Sequence, residues 1–411
     1  MNSEWSPTSV GEFCPFVYGK GLPDRDRNQA GLVPVVSSAG IIAKHDKAYV
    51  NGAGIVIGRK GTIGSLTILE KPFWPIDTAF FIKDEPEKRD LYFTYYLLKS
   101  LGLERMNTDS AVPGLNRENA HKVEVLVPSL EVQKKVGRFA RAYDQQIATL
   151  TQQNVALETI AQRLFRSWFV NFDPVHSKAA GKEPEAMSAE LAALFPSDFE
   201  LNGLVPIPKG WSLESLDTSI SYLNGLALQK YPVLEGEAAL PVLKIAQLKA
   251  GRTDTNILAN RRMKPEFIVR DGDVIFSWSG SLEIRIWTGG EAALNQHLFK
   301  VFSQVHPSWF CFQSTLRHLR SFKEIAASKA TTMGHIQRHH LSEAKLAVPP
   351  KELMQKCSQI FGPMQSLIVN NGRLVRELAE LRNHLLPRLI SGKLSIEDAE
   401  RAIEMRVAVS E

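Results

Sequence analysis

Residues 360–385 read IFGPMQSLIVNNGRLVRELAELRNHL. Within them Ile360, Met364, Leu367, Asn371, Leu374, Leu378, Leu381 and Leu385 follow one another at alternating intervals of four and three. That rhythm is the a/d seam of a heptad repeat, held for more than three heptads, and it predicts a long helix with one apolar stripe. Gly392, beyond the last periodic residue, suits a C-terminal cap.

Just before this stretch stands Val348-Pro349-Pro350-Lys351-Glu352, which echoes Val127-Pro128-Ser129-Leu130-Glu131 at an offset of 221 residues, Pro128 to Pro349. The same offset pairs Lys135 with Lys356, Ile147 with Ile368, Leu157 with Leu378 and Leu164 with Leu385. The chain is therefore an internal duplication. Its first long helical pattern runs through Val132, Val136, Phe139, Tyr143, Ile147, Leu150, Asn154, Leu157, Ala161, Leu164 and Trp168. A helix of about 40 residues is ~60 Å long. Each stripe contains one asparagine, Asn154 or Asn371, a device that fixes register at some cost in stability. Length and duplication favour a mutual coiled coil. Its seam would hold Phe139, Tyr143, Leu150, Asn154, Leu157 and Leu164 from the first helix and the eight residues above from the second. Two amphipathic helices packed in separate cores are the alternative.

Ahead of each helix the pattern is β-type. Residues 31–82 contain Val33-Pro34-Val35-Val36, Gly54-Ile55-Val56-Ile57-Gly58 and Thr78-Ala79-Phe80-Phe81-Ile82, cut by Gly and Pro. The second copy contains Leu240-Pro241-Val242-Leu243, Val274-Ile275-Phe276 and His297-Leu298-Phe299-Lys300-Val301-Phe302. The fold class is α+β: two similar β-rich domains, each followed by a long helix, as a pseudo-two-fold repeat. The expected divisions are a β-rich domain at 1–128, a helix at 129–170, a linker at 171–209, a second β-rich domain at 210–348, a second helix at 349–394 and a tail at 395–411. One short helix is expected in the linker, between Glu185 and Phe195.

With 44% hydrophobic and 23% charged residues the chain has ordinary globular composition. Its net charge of +5 permits a nucleic-acid partner without demanding one. Cys14, Cys311 and Cys357 stand far apart, with no zinc or disulfide pattern, which fits a reduced, cytoplasmic compartment. No signal peptide and no membrane span are expected.

Catalytic patterns are missing. Asn171-Phe172-Asp173-Pro174-Val175 falls short of the Asn/Asp-Pro-Pro-aromatic loop of an adenine methyltransferase. Gly52-Ala53-Gly54 and Gly58 have the wrong spacing for a dinucleotide loop, and no GxxxxGK[ST] exists. His335, His339 and His340 have no carboxylate or Cys spaced for a shared metal. No cofactor, no metal and no catalytic residue is expected. The candidates for DNA contact are basic, amide and hydroxyl residues in glycine-rich loops: Lys20, Arg59, Lys60, Thr62, Asn116 and Arg117 in the first copy, and Ser279, Ser281, Arg285, His335, Gln337 and Arg338 in the second. Arg reads guanine and Asn or Gln reads adenine, while Lys, Ser and Thr more often hold phosphates. Arg163, Arg166, Arg376 and Arg382 on the helices are expected on exposed flanks or at partner contacts.

The whole chain resembles the specificity subunits of type I restriction–modification systems. The resemblance is carried by Tyr18-Gly19-Lys20-Gly21-Leu22-Pro23, Gly54 to Thr62, Pro75-Ile76-Asp77-Thr78-Ala79-Phe80, Ser167-Trp168-Phe169-Val170-Asn171-Phe172-Asp173-Pro174 and Leu386-Pro387-Arg388-Leu389-Ile390-Ser391-Gly392-Lys393-Leu394. It implies that the β-rich domains are target-recognition domains, each reading half of a split, asymmetric DNA site. It further implies that the helices pack as an antiparallel coiled-coil spacer. The partners it implies are double-stranded DNA, two modification (methyltransferase) subunits and restriction (endonuclease/translocase) subunits, with no membrane. The rival readings are a self-contained restriction–modification enzyme, which needs motifs this chain lacks, and a coiled-coil adaptor that binds only protein.

Overall fold

The structure, a computed structural model, describes residues 5–106, 114–254, 256–328 and 334–401. The chain forms two compact units, Met1–Gln146 with Leu378–Glu411 and Ile147–Glu377. Two helices of 40 residues each, Leu130–Phe169 and Lys351–Ile390, contribute to both.

In the first unit a four-stranded antiparallel sheet takes the order Val17–Tyr18, Ala79–Lys83, Gly54–Gly58, Leu66–Leu69. A three-stranded sheet has the order Gly40–His45, Val33–Ser37, Trp74–Pro75, and Trp5–Ser9 ladders with Glu124–Pro128. Gly54–Gly58 is buried throughout, which is why its sequence is apolar without alternation. Its side chains still alternate in destination. Ile55 and Ile57 join Phe80, Phe93 and Leu97 in one core, and Val56 joins Phe73 and Phe81 in another. Val136, Ala140, Leu385, Leu389 and Ile390 of the long helices complete the first of these cores. Beside them Asp144 accepts from the Tyr96 hydroxyl at 2.9 Å and from Arg382 Nη1 at 2.6 Å. Gly392 closes the second helix at φ 69°, with Lys393 N–H donating to Arg388 C=O at 2.9 Å. The expected tail is in part folded: residues 396–401 are helical and Ala399 is fully buried, while 402–411 lie outside the described residues.

The second unit repeats this plan. Its antiparallel sheet runs Ser221–Asn224, Leu298–Phe302, Val274–Ser277, Ile284–Ile286. Its second sheet runs Leu258–Asn260, Ala239–Leu243, Ala292–Leu294, Ile268–Val269, and Ser212–Ser215 ladders with Lys345–Val348. Phe165, Trp168, Phe169, Trp211, Trp309, Phe310 and Phe361 form an aromatic core, in which Trp309 and Phe361 stack at 4.4 Å.

The stretch expected as a linker is built into this unit. It contains the helices Asp173–Ala179 and Ala189–Leu194 and the hairpin Phe199–Asn202 with Val205–Pro208. Val175, Leu191 and Phe195 sit in the aromatic core. The single helix expected from Glu185 begins only at Ala189, because the Ser188 hydroxyl caps it by accepting from Leu191 N–H.

Within the second unit the long helices run antiparallel: Asn154 meets Asn371, whereas Trp168, further on, meets Phe361, further back. Asn371 Nδ2 donates to Asn154 Oδ1 at 3.0 Å, and Asn154 Nδ2 donates to Ile368 C=O at 3.0 Å. Two seam assignments need correction. Leu367 and Leu374 are 47% and 46% exposed, and the buried neighbour of Leu367 is Ile368. Phe361, Ile368, Val375 and Arg382 recur every seven residues as regularly as Ile360, Leu367, Leu374 and Leu381. Periodicity alone does not separate two such rows, and the stacking of Phe361 on Trp309 decides between them. The other expected seam residues are buried or half-buried. Arg376 and Arg382 are likewise not exposed flanks. Arg376 binds both carboxylate oxygens of Asp271 and Thr288 C=O, and Arg382 holds Asp144.

Candidate nucleic-acid interface

In the first unit the strand Gly54–Gly58 delivers Arg59 and Lys60 beyond its end. Arg59 N–H donates to Thr78 C=O at 3.0 Å, and Arg59 C=O accepts from Leu115 N–H at 2.9 Å. Lys60 bridges Gly114, directly before the short helix Arg117–His121. These bonds bring Arg59 and Arg117 onto one ring. The Arg59 guanidinium lies 4.9 Å from the Tyr18 centroid and that of Arg117 lies 5.0 Å from it. Such contacts contribute roughly 0.5–1 kcal/mol each at exposed sites. Tyr18 is 45% exposed, so the stacked group is at the surface. Lys20 stands over Tyr49 and Trp74, at 5.6 and 6.0 Å from their centroids. Thr62 is at an exposed turn, where Gly61 takes φ 78°.

The second unit builds the same frame. Trp278 occupies the place of Arg59: it follows Val274–Ser277, and its C=O accepts from Ile336 N–H at 3.0 Å. Ser279 bridges His335 as Lys60 bridges Gly114, and Gln337 and Arg338 begin the helix as Asn116 and Arg117 do. His335, Gln337 and Arg338 lie 221 residues beyond Gly114, Asn116 and Arg117, the offset of the Val-Pro echo. Asn224 takes the place of Tyr18, since each pairs with the Phe of the neighbouring strand, Phe299 or Phe80. A glycine follows each, and Gly19 N–H to Ala79 C=O matches Gly225 N–H to Leu298 C=O at 3.0 Å. A Cβ on Gly19 would lie 2.1 Å from Ile76 O, and one on Gly225 would lie 2.3 Å from Asn295 O, so neither position admits a side chain.

The chemistry on that frame differs. Trp278 Nε1 donates to Asn224 Oδ1 at 3.1 Å, and these two residues line a cavity of about 290 Å³ with Phe299, His335, Gln337 and Arg338. An aromatic wall ringed by amide and cationic groups suits contact with a base or sugar. Among the described residues no arginine stacks on a ring there.

Several expected contacts land elsewhere. Ser279 is only 3% exposed, its Oγ 3.1 Å from His297 Nδ1, so it supports the site from beneath and presents nothing outward. Ser281 borders a separate cavity with Lys249 and Lys323. Arg285 is paired with Glu283 at 2.6 Å, outside the Trp278 group. The Asn116 side-chain oxygen caps its helix by accepting from Asn119 N–H at 3.1 Å. Tyr18, Asn224 and Trp278 were not among the expected contacts. Their only sequence signal is a residue preceding the tight glycine, Tyr18-Gly19 or Asn224-Gly225, and the matching strand ends.

Among the described residues no group of three or more His, Cys, Asp and Glu could hold a metal ion. His340 Nδ1 instead accepts from Gln337 N–H at 2.9 Å. The three cysteines are buried, and burial pushes each thiol up to about 12, far from a reactive thiolate. No helix among the described residues is long and apolar enough to cross a membrane.

Comparison with known proteins accords with this architecture. Residues 2–159 match the type I restriction modification DNA specificity domain. The chain is 26% identical over 320 residues to the type I restriction enzyme MjaIX specificity subunit of Methanocaldococcus jannaschii, covering 74% of this chain and 69% of that protein. It is 24% identical over 332 residues to the type I restriction enzyme HindI specificity subunit of Haemophilus influenzae, covering 69% of this chain and 71% of that protein. The crystal structure of the type I restriction–modification S subunit from M. genitalium superimposes with a TM-score of 0.60 at 14% identity, over 95% of this chain and 97% of that one, and so shares the fold. On these matches the chain is similar to the specificity subunits of type I restriction–modification systems, with the family's DNA specificity domain matched over residues 2–159.

Proposed function

We propose that the chain is the sequence-specific DNA-binding subunit of its complex, recognises a bipartite, asymmetric duplex target and carries no catalysis of its own. The observation that supports this most is the recurrence of one surface frame, Tyr18, Arg59 and Arg117 or Asn224, Trp278 and Arg338, with different chemistry in each unit. Two unlike readers on one chain serve two unlike half-sites. The long helices set the run of unread bases between them and offer their outer faces to two modification subunits, with restriction subunits joining for cleavage. The test is direct. The chain binds duplex DNA with an affinity that falls steeply with salt, because Lys and Arg displace phosphate counterions. The purified chain alone transfers no methyl group from S-adenosylmethionine and cuts no DNA. Methyl transfer above a no-protein control, or binding that ignores salt, overturns the reading.

A further inference from the structure

We propose that Arg59 is the guanine-reading residue of the first domain, and that Trp278 leaves the second domain without guanine recognition at the matching position. This rests on the DNA-binding reading above and names the base. Two arginines share the Tyr18 ring, but they are not equivalent. Arg117 spends Nε and Nη2 on Glu118, at 3.3 and 3.0 Å. Arg59 makes no ion pair among the described residues, and its one side-chain hydrogen bond is from Nη1 to Asp77 C=O at 3.3 Å. Its guanidinium also lies 5.9 Å from the Phe80 centroid, and its main chain is fixed on both sides by Thr78 and Leu115. The fork is thus held over an aromatic platform before DNA arrives. A planar guanidinium with little freedom left to lose is suited to the O6 and N7 acceptors of guanine in the major groove. Arg117 keeps a second cation on the platform and is a positioning residue, as is Tyr18. At the equivalent place Trp278 has its one side-chain donor committed to Asn224 and its ring 5.8 Å from Phe299, so it offers guanine no paired donors.

The experiment selects from randomised duplex DNA with the full chain, loaded with its modification subunits, as wild type, Arg59→Gln and Tyr18→Leu. Wild type enriches a motif with a G·C pair in one half. Arg59→Gln loses discrimination at that base pair alone, by on the order of tenfold or more, and moves toward A·T, since Gln pairs with adenine. Tyr18→Leu weakens the same discrimination with the charge retained, so its salt dependence stays at the wild-type slope. An Arg59→Gln protein that keeps the guanine preference while losing affinity evenly over all sequences overturns the inference, because Arg59 would then hold a phosphate. A wild type that enriches no motif overturns the DNA-reading function itself and the inference with it.

Discussion

The first domain presents charge where the second presents an aromatic ring. Arg59 stacks on Tyr18 in one, and Trp278 bonds Asn224 in the other, at the ends of strands with the same register and the same backbone bonds. The frame is set by main-chain hydrogen bonding and by two glycines that admit no Cβ, so the side chains at two positions, Tyr18 or Asn224 and Arg59 or Trp278, differ without moving the scaffold. The helix pair repeats the contrast. Asp144 with Arg382 and Tyr96 forms a charged group in the first unit, and Asn154 with Asn371 forms a neutral amide pair in the second.

The largest expected effect separates charged from aromatic reading. Arg59→Ala with Lys60→Ala should lower affinity roughly 10- to 100-fold at moderate salt and reduce the slope of log affinity against log salt by about 1, the share of Lys60 as the phosphate contact. Trp278→Ala should weaken selection of the other half-site and leave that slope unchanged. Filter binding across a salt series decides, and equal slopes in both variants break the comparison. A smaller effect concerns the amide pair. Asn371→Leu leaves Asn154 Oδ1 without its donor and should cost roughly 1–3 kcal/mol in denaturant unfolding. Asn154→Leu with Asn371→Leu should recover that loss. A double variant less stable than the single one would show the pair to be a net stabiliser.

The smallest effect is on acid stability. Burial, and then Arg317, pushes the His318 pKa down to about 4, and burial also lowers that of His121 in the first unit. The folded second unit therefore favours neutral His318. Its contribution is complete above the ordinary value near 6.5 and is lost as pH falls from there towards 4. For this half-buried ring the loss is on the order of 1 kcal/mol. His318→Gln should flatten the melting temperature between pH 6.5 and 4, and an unchanged profile would discount this histidine.

Much of this architecture was legible in the sequence because duplication and heptad spacing are long-range signals that survive loop divergence. The helices, their asparagines and the Gly392 cap were read from spacing alone. What was not legible has physical causes. Leu367 and Ile368 are adjacent apolar residues, and only the packing of Phe361 on Trp309 chooses between them. Residues 171–209 read as a linker because prolines interrupt every period, yet Val175, Leu191 and Phe195 are anchored in an aromatic core assembled from distant segments. At the site, a loop of basic residues marks Arg59 and Arg117, but the ring that joins them lies about 40 residues before Arg59 and about 100 before Arg117. The Ser279 hydroxyl reads in the sequence as a contact, and burial beneath the site removes it from the surface.

The central claim is that two unlike readers on one chain specify two unlike half-sites. Mapping methylated bases in DNA from cells that carry the chain with its modification subunits tests it most directly. The account predicts one methylated motif with two different halves separated by a fixed run of unspecified bases. A contiguous motif, or two identical halves, would contradict it.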